Sequence, residues 1–156
     1  MDIERYIQFE VERQHSEKFS EFRRAFLWVG MVDSKRVCAE HSLLPILHGI
    51  ARRVEPVVNE LKNDSTFRRS EVGFLHGGNA ARVIDIPRRI DRWLSNLGQI
   101  NGDPDLFEVW IRDLLLIHPW ADGNGRTVSI FRNWMLGTMK NPSPLPNYFQ
   151  EETDAS

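Results

Sequence analysis

His118-Pro119-Trp120-Ala121-Asp122-Gly123-Asn124-Gly125-Arg126 is the stretch on which the reading of this chain turns. It brings together a titratable base, a carboxylate, two glycines, an amide and a guanidinium. An apolar segment, Val109 to Ile117, feeds into it, and an amphipathic segment leaves it. Proline disfavours the α conformation in the residue before it, so a helix arriving along the apolar segment should end at His118. The imidazole then projects into whatever cavity the following loop bounds. Asp122-Gly123-Asn124-Gly125 permits tight, partly positive-φ backbone, and the next helix should start near Asn124.

Such a corner has chemical uses. Successive amide hydrogens at a helix N-terminus form an anion cradle, aided by the helix dipole. Arg126, in the first turn, can add a fork of donors to a phosphate oxygen. Asp122 is a hard oxygen ligand, able to hold Mg²⁺ together with substrate phosphates. His118 has an intrinsic pKa near ~6.5, suited to accepting a proton at neutral pH. These parts suit attack of a hydroxyl on a phosphorus atom of a Mg²⁺-bound nucleotide. The same residues also read as a helix–turn–helix corner, with Gly-Asn-Gly as turn chemistry and His118 as a cap. No Walker lysine-serine pair is present, which removes an ordinary P-loop. His118 and Asp122 make a weak transition-metal pair, because Pro119 breaks the helix between them.

Around this corner the pattern is mainly helical. Ile7, Val11, Phe19, Phe22, Phe26 and Val29 recur at helical spacing, which predicts one or two amphipathic helices ending near Gly30. His15 falls on the same stripe and reads as a core or boundary histidine. Leu43, Leu44, Leu47, Ile50, Ala51 and Val54 predict another helix, broken at Pro56. His48 within it reads as packing, or as a residue bordering the site. Asn63 to Thr66 is turn-like. Val72 and Phe74 alternate with small or polar neighbours before Gly77-Gly78-Asn79, which predicts a small β-hairpin lying on the helical body. Asp85 with Pro87, and Asp103 with Pro104, look like capped helix starts, and Gly98 like a left-handed stop. The strongly apolar helix from Asp105 to Ile117 is expected to be central and buried on many sides. A last helix runs from Thr127 to Met139, before prolines 142, 144 and 146 end regular structure.

Length and composition agree with one compact, mainly α domain. A chain of 156 residues can bury a core without staples, and 41% hydrophobic with 27% charged residues is an ordinary soluble balance. Residues 1–36 are expected to be an N-terminal helical extension packed on a core of residues 37–140, followed by a Pro-rich, acidic tail at 141–156. A net charge of −2 gives no global pull toward nucleic acid or anionic membrane, and neither is expected as a partner. Arg52-Arg53, Arg68-Arg69 and Arg88-Arg89 are interleaved with acids and read mostly as solvated helix faces. A lone cysteine, Cys38, forms no internal disulfide and fits a reducing compartment. The start of the chain is unlike a signal peptide, and no apolar run approaches ~18 residues. The expected setting is a cytoplasm, its own or a host's.

The nine-residue stretch resembles the signature of the Fic (Fic/Doc) family, His-Pro-Phe-x-Asp/Glu-Gly-Asn-x-Arg, with Trp120 for the phenylalanine. Leu47-His48, Phe67-Arg68 with Val72 and Phe74, and Pro87 extend the resemblance over roughly residues 43–139. It implies a compact helical Fic fold with a hairpin flap. It also implies transfer of AMP from ATP to a Ser, Thr or Tyr hydroxyl of a target protein. On that reading His118 is the general base and Asp122 holds Mg²⁺. Gly123, Asn124, Gly125 and Arg126 bind the nucleotide phosphates, and a target segment pairs with the flap within Glu71 to Ile84. Two departures bear on the donor and on control. Many members carry a second arginine where this chain has Ser129; Arg132 lies one turn on. Relatives with altered motifs use UTP, GTP or CDP-choline. The Ser/Thr-x-x-x-Glu-Gly/Asn inhibitory pattern has no match, which implies a separate small antitoxin-like partner or no inhibitor. A toxin or effector, or a catalytically inactive Fic-fold binding module, are the functional settings that follow.

Overall fold

A computed structural model of the protein describes residues 1–33, 42–60, 65–74 and 77–149. Cys38, His41 and the acidic tail from Glu151 onward lie outside the described residues, as do Asn63 and Asp64 of the expected turn. The described chain is mainly helical. In order it comprises α1 (Ile3–Arg13), α2 (Phe19–Gly30), α3 (Leu43–Val54), a 3-10 turn (Val83–Asp85), α4 (Ile86–Ser95), a single turn α5 (Leu97–Ile100), α6 (Pro104–Ile117) and α7 (Asn124–Leu136).

The stripes read from the sequence are the buried faces. Phe22, Ala25, Phe26 and Val29 of α2 are buried, and α2 packs against α3, whose Leu43, Ile46, Leu47, Ile50, Ala51 and Val54 are buried in turn. Asp2 caps α1 by accepting the Arg5 amide at 2.8 Å, and Asp103 caps α6 through the amides of Asp105 and Leu106 at 2.9 and 3.3 Å. Each cap satisfies donors a helix start leaves open and is worth about 1 kcal/mol. Pro56 does its expected work: α3 ends at Val54 with Glu55 as its C-cap.

Four local expectations change. His15 is an exposed residue at φ 56° in the link between α1 and α2, not part of a stripe. Asp85 makes no side-chain cap; it sits in the 3-10 turn and pairs with Arg88 at 3.5 Å. Gly98 lies inside α5, and the left-handed turn falls at Asn101 and Gly102 (φ 46° and 77°). The hairpin is also smaller than expected. Gly73 and Asn79 form one antiparallel bridge, with Phe74 N–H donating to Gly78 O and Ala80 N–H to Val72 O, both 3.0 Å. No strand extends it among the described residues, and Leu75 and His76 lie outside them.

The helix buried on many sides is α7, not α6. Along α7 Asn124, Arg126 through Phe131, Asn133 and Trp134 are all buried, and it touches α1, α2, α3 and α6. The sequence hides this because α7 is polar. Four of its five buried polar residues are hydrogen-bonded internally, among them Ser129 Oγ to Tyr6 Oη at 2.7 Å, and Asn133 Nδ2 to the Ser129 and Ser143 carbonyls at 3.0 and 2.9 Å; Thr127 Oγ1 is the exception. A buried polar group costs little once it is bonded. α6 is held from outside by α4. Trp93 and Trp110 stack at 4.0 Å, and each indole N–H donates to the other's backbone carbonyl, at 2.6 and 2.8 Å.

Candidate functional site

The corner between α6 and α7 has the expected shape. α6 ends at Ile117, and His118 is its C-cap in the left-handed region (φ 53°, ψ 61°). A non-glycine residue there carries a conformational cost, so the surroundings must hold it. Arg68 holds it. That buried guanidinium (3% exposed) donates to the carbonyls of His118 at 2.6 Å, Ser70 at 2.9 Å and Ile117 at 3.3 Å, and also to that of Ala81. The Arg68 amide adds a bond to Pro119 O at 2.8 Å. One side chain thus ties the end of α6 to both arms of the hairpin region. Phe74 stands edge-on to the His118 ring, centroids 5.4 Å apart. Burial lowers the His118 pKa from 6.5, the Arg68 charge lowers it further, and a backbone bond at Leu115 and the charge of Asp122 oppose both. The imidazole is therefore neutral at pH 7 and able to accept a proton.

Trp120 is the anchor of the loop. It is fully buried and donates its indole N–H to His48 Nδ1 at 3.1 Å. His48 also meets Phe67 edge-on at 4.9 Å, and burial, with the Arg52 charge, lowers its pKa to about 4. The neutral ring that accepts from Trp120 makes His48 a support of the loop. Asn124 is 2% exposed, and its amide is engaged at both ends. Its Oδ1 accepts Trp120 N–H at 3.0 Å and its Nδ2 donates to Trp120 O at 2.8 Å. It shapes the loop, which leaves its backbone N–H and the second side-chain N–H to face an anion. Gly123 is the N-cap of α7 at φ 73°, and a Cβ there would lie 2.8 Å from Val54 Cγ1. Gly125 is as tightly covered: a Cβ would lie 2.2 Å from Gln14 Oε1.

Asp122 is 60% exposed at its side chain, and its Oδ1 accepts the Gly123 amide at 2.7 Å. Asn59 pins its backbone, Nδ2 to Asp122 O at 2.8 Å. No group of three or more His, Cys, Asp or Glu side chains able to hold a metal occurs among the described residues. Asp122 is an exposed hard-oxygen donor, which fits a Mg²⁺ whose other ligands are phosphate oxygens and water.

Arg126 is 4% exposed and already paired. It meets Glu55 Oε1 at 2.8 Å, Ser16 Oγ at 3.1 Å and Asp122 Oδ1 at 3.5 Å. Glu55 is 3% exposed and also holds the Lys18 ammonium. Burial alone would raise the Glu55 pKa, but hydrogen bonds from Lys18 and Arg126 outweigh it and hold the carboxyl below 4.5. Two cations and two carboxylates therefore sit around the start of α7. A phosphate arriving there must take the place of Glu55 on Arg126 or arrive with a cation at Asp122.

The structure thus brings His118, Asp122, Gly123, Asn124, Gly125 and Arg126 into one corner and gives the Asn124 side chain a separate task. Sequence reasoning missed Glu55, Lys18, Ser16 and Gln14. Glu55 had a local signal: a carboxylate at a helix C-terminus opposes the dipole and needs a cation. The α1–α2 link had none, because its contacts depend on how α1 and α2 dock. Comparison with protein-family models, curated proteins and solved structures finds no match for this chain, so the site is read from its own geometry.

Proposed function

We propose that this chain is a protein nucleotidyltransferase with a Fic-type active site, transferring AMP from Mg²⁺-ATP to a Ser, Thr or Tyr hydroxyl of a target protein. The observation that carries the reading is the corner itself. A neutral imidazole ends α6, and within the next turn a helix N-terminus, an exposed carboxylate and a buried guanidinium follow. His118 takes the proton of the target hydroxyl as its oxygen bonds to the α-phosphorus. The bond to the leaving oxygen breaks, and pyrophosphate departs. The Asn124 and Gly125 amides and the Arg126 fork stabilise charge on the phosphoryl oxygens, while the Gly123 amide holds Asp122 Oδ1. Mg²⁺ at Asp122 would supply charge neutralisation. A target segment would pair with the backbone around the Gly73–Asn79 bridge, which supports a flap role for Glu71 to Ile84.

A cytoplasmic setting, a toxin or effector role and a separate small antitoxin belong to the same proposal. No helix among the described residues is long and apolar enough to cross a membrane.

The test is transfer of labelled nucleotide from ATP, UTP, GTP and CDP-choline to lysate proteins with Mg²⁺. Label on one protein from ATP, lost in His118→Ala, is the expected result. Equal labelling by His118→Ala sinks the proposed mechanism, and labelling from another donor alone reassigns the nucleotide. A second reading, a catalytically inactive Fic-fold binding module, draws on Glu55 occupying Arg126 and on the engaged amide of Asn124. Calorimetry separates the two, since that module has no nucleotide affinity.

A further inference from the structure

We infer that the face carrying the hairpin and the first turns of α4 docks an acidic, extended protein segment. From Ser65 to Ser95 the sequence holds six arginines, no lysine and three carboxylates, against a net charge of −2 for the whole chain. Arg68 is buried; Arg69, Arg82, Arg88, Arg89 and Arg92 are all exposed.

The fold gathers them at one place. The Arg68 fork joins Ser70 O, Ala81 O and Ile117 O, which sets Arg69 and Arg82 beside the end of α6. Arg89 and Arg92 line a cavity of about 150 Å³ with Asp113 and the same Ile117. His118 follows directly, under Phe74 of the hairpin.

Five carboxylates stand nearby against six arginines, and at least two of the five are engaged. Glu71 is turned onto the Val83 amide, at 3.2 Å, and Asp85 pairs with Arg88. Burial raises the Asp113 pKa, partly offset by Arg112 and Arg89. Asp91 is exposed on α4, and Glu60 lies near Arg69. Arg88 and Arg89 occupy the first turn of α4, where the helix dipole disfavours cations. The helix dipole therefore does not explain them, whereas a carboxylate-bearing partner does. Guanidinium forks match carboxylates, and an all-arginine set suits that recognition better than lysines would. Of the arginines read from the sequence as solvated, Arg68 is buried instead, while Arg69, Arg88 and Arg89 are exposed beside the end of α6.

The inference rests on the transferase reading only in taking the docked segment as the substrate. The probes are fluorescent peptides with one central serine, flanked by Glu and Asp, by Gly and Asn, or by Lys. Binding to the full chain is read by anisotropy, without nucleotide. The acidic peptide should bind roughly tenfold more tightly than the Lys-flanked one, with the gap closing at high salt. Arg89→Glu/Arg92→Glu should abolish the preference, while the control Arg5→Glu/Arg24→Glu, with equal charge change on α1 and α2, should keep it. His118→Ala should also keep it, so loss of nucleotide transfer and loss of docking are separate results. Equal binding of all peptides, or equal loss in both double variants with circular dichroism unchanged, overturns the inference. So does a single-stranded RNA probe that binds more tightly than the acidic peptide, which would make the face a nucleic-acid site.

Discussion

Replacing Glu55 with alanine tests the ion cluster at the start of α7. The carboxylate is 3% exposed and Arg126 4%, so the variant strands a guanidinium that water barely reaches. Breaking a buried pair from one side costs about 3–5 kcal/mol. Ser16 and Asp122 keep partial contact with Arg126, and Lys18, at 43% exposure, returns to water. Those contacts place the expected loss near the lower end, about 3 kcal/mol, or roughly 6–12 °C in Tm for a domain of this size.

Urea denaturation should show the loss as a lower midpoint at unchanged slope. Glu55→Gln keeps an acceptor and should lose less, about 1–2 kcal/mol. In the double variant Glu55→Ala/Arg126→Met the losses should fall short of additive by about 2 kcal/mol. The pH dependence has a fixed sign. Because the folded carboxyl titrates below 4.5, its contribution is complete above pH 4.5 and disappears as pH falls through the folded value. Wild type and Glu55→Ala should therefore converge in acid. A loss under about 1 kcal/mol at pH 7, or additive losses in the double variant, would refute the buried pair.

Three further perturbations probe the loop. Arg68→Gln should cost about 3 kcal/mol through its lost carbonyl contacts, and the His118 NMR titration should move up as the neighbouring charge goes. Gly123→Ala, at φ 73° and against Val54, should cost about 1–3 kcal/mol in denaturant melts. His48→Phe removes the acceptor of the Trp120 indole and should cost about 1–3 kcal/mol. The His48 pKa is lowered from 6.5 to about 4, so wild type should lose stability as pH falls through that window, and the variant should lack this slope.

Much of the fold was legible because its signals are local. Stripes at helical spacing gave α2 and α3, Pro119 gave the end of α6, and Asp103-Pro104 gave its start. What failed depended on long-range partners. Asp85 does occupy the N-cap position before Pro87, but its carboxylate pairs with Arg88 and makes no capping bond. His15 fell on a stripe by arithmetic, but the chain turns at that residue. The apolar end of α6 drew attention from α7, whose buried residues are polar as often as apolar and whose polar ones become intelligible only once Tyr6 and Ser143 are beside them. At the site the six expected residues came together because they are close in sequence. The residues that restrain Arg126 come from α3 and the α1–α2 link, and no spacing rule connects those to α7.

Position 129 shows what such distant partners change. Set beside the Fic-family resemblance, Ser129 stands where many members have a phosphate-binding arginine, and Arg132 lies one turn on. In the fold Ser129 is fully buried, with its hydroxyl on Tyr6 Oη. The buried Glu10 lies close by; desolvation raises its pKa and the Ser129 hydroxyl lowers it. An arginine at 129 would have to displace the ring that joins α1 to α7. Arg132 meets Glu108 at 2.8 Å and Ser143 at 3.1 Å, partners that draw it toward α6 and the C-terminal segment. Neither residue is available to a nucleotide held at Arg126. Lys18, just before α2, is a second cation beside Arg126, and it too is paired, with the same Glu55. On the proposed transferase reading, any grip on phosphates beyond the first would be set by how the α1–α2 link docks, and residue 129 would act on it only by holding α1 in place.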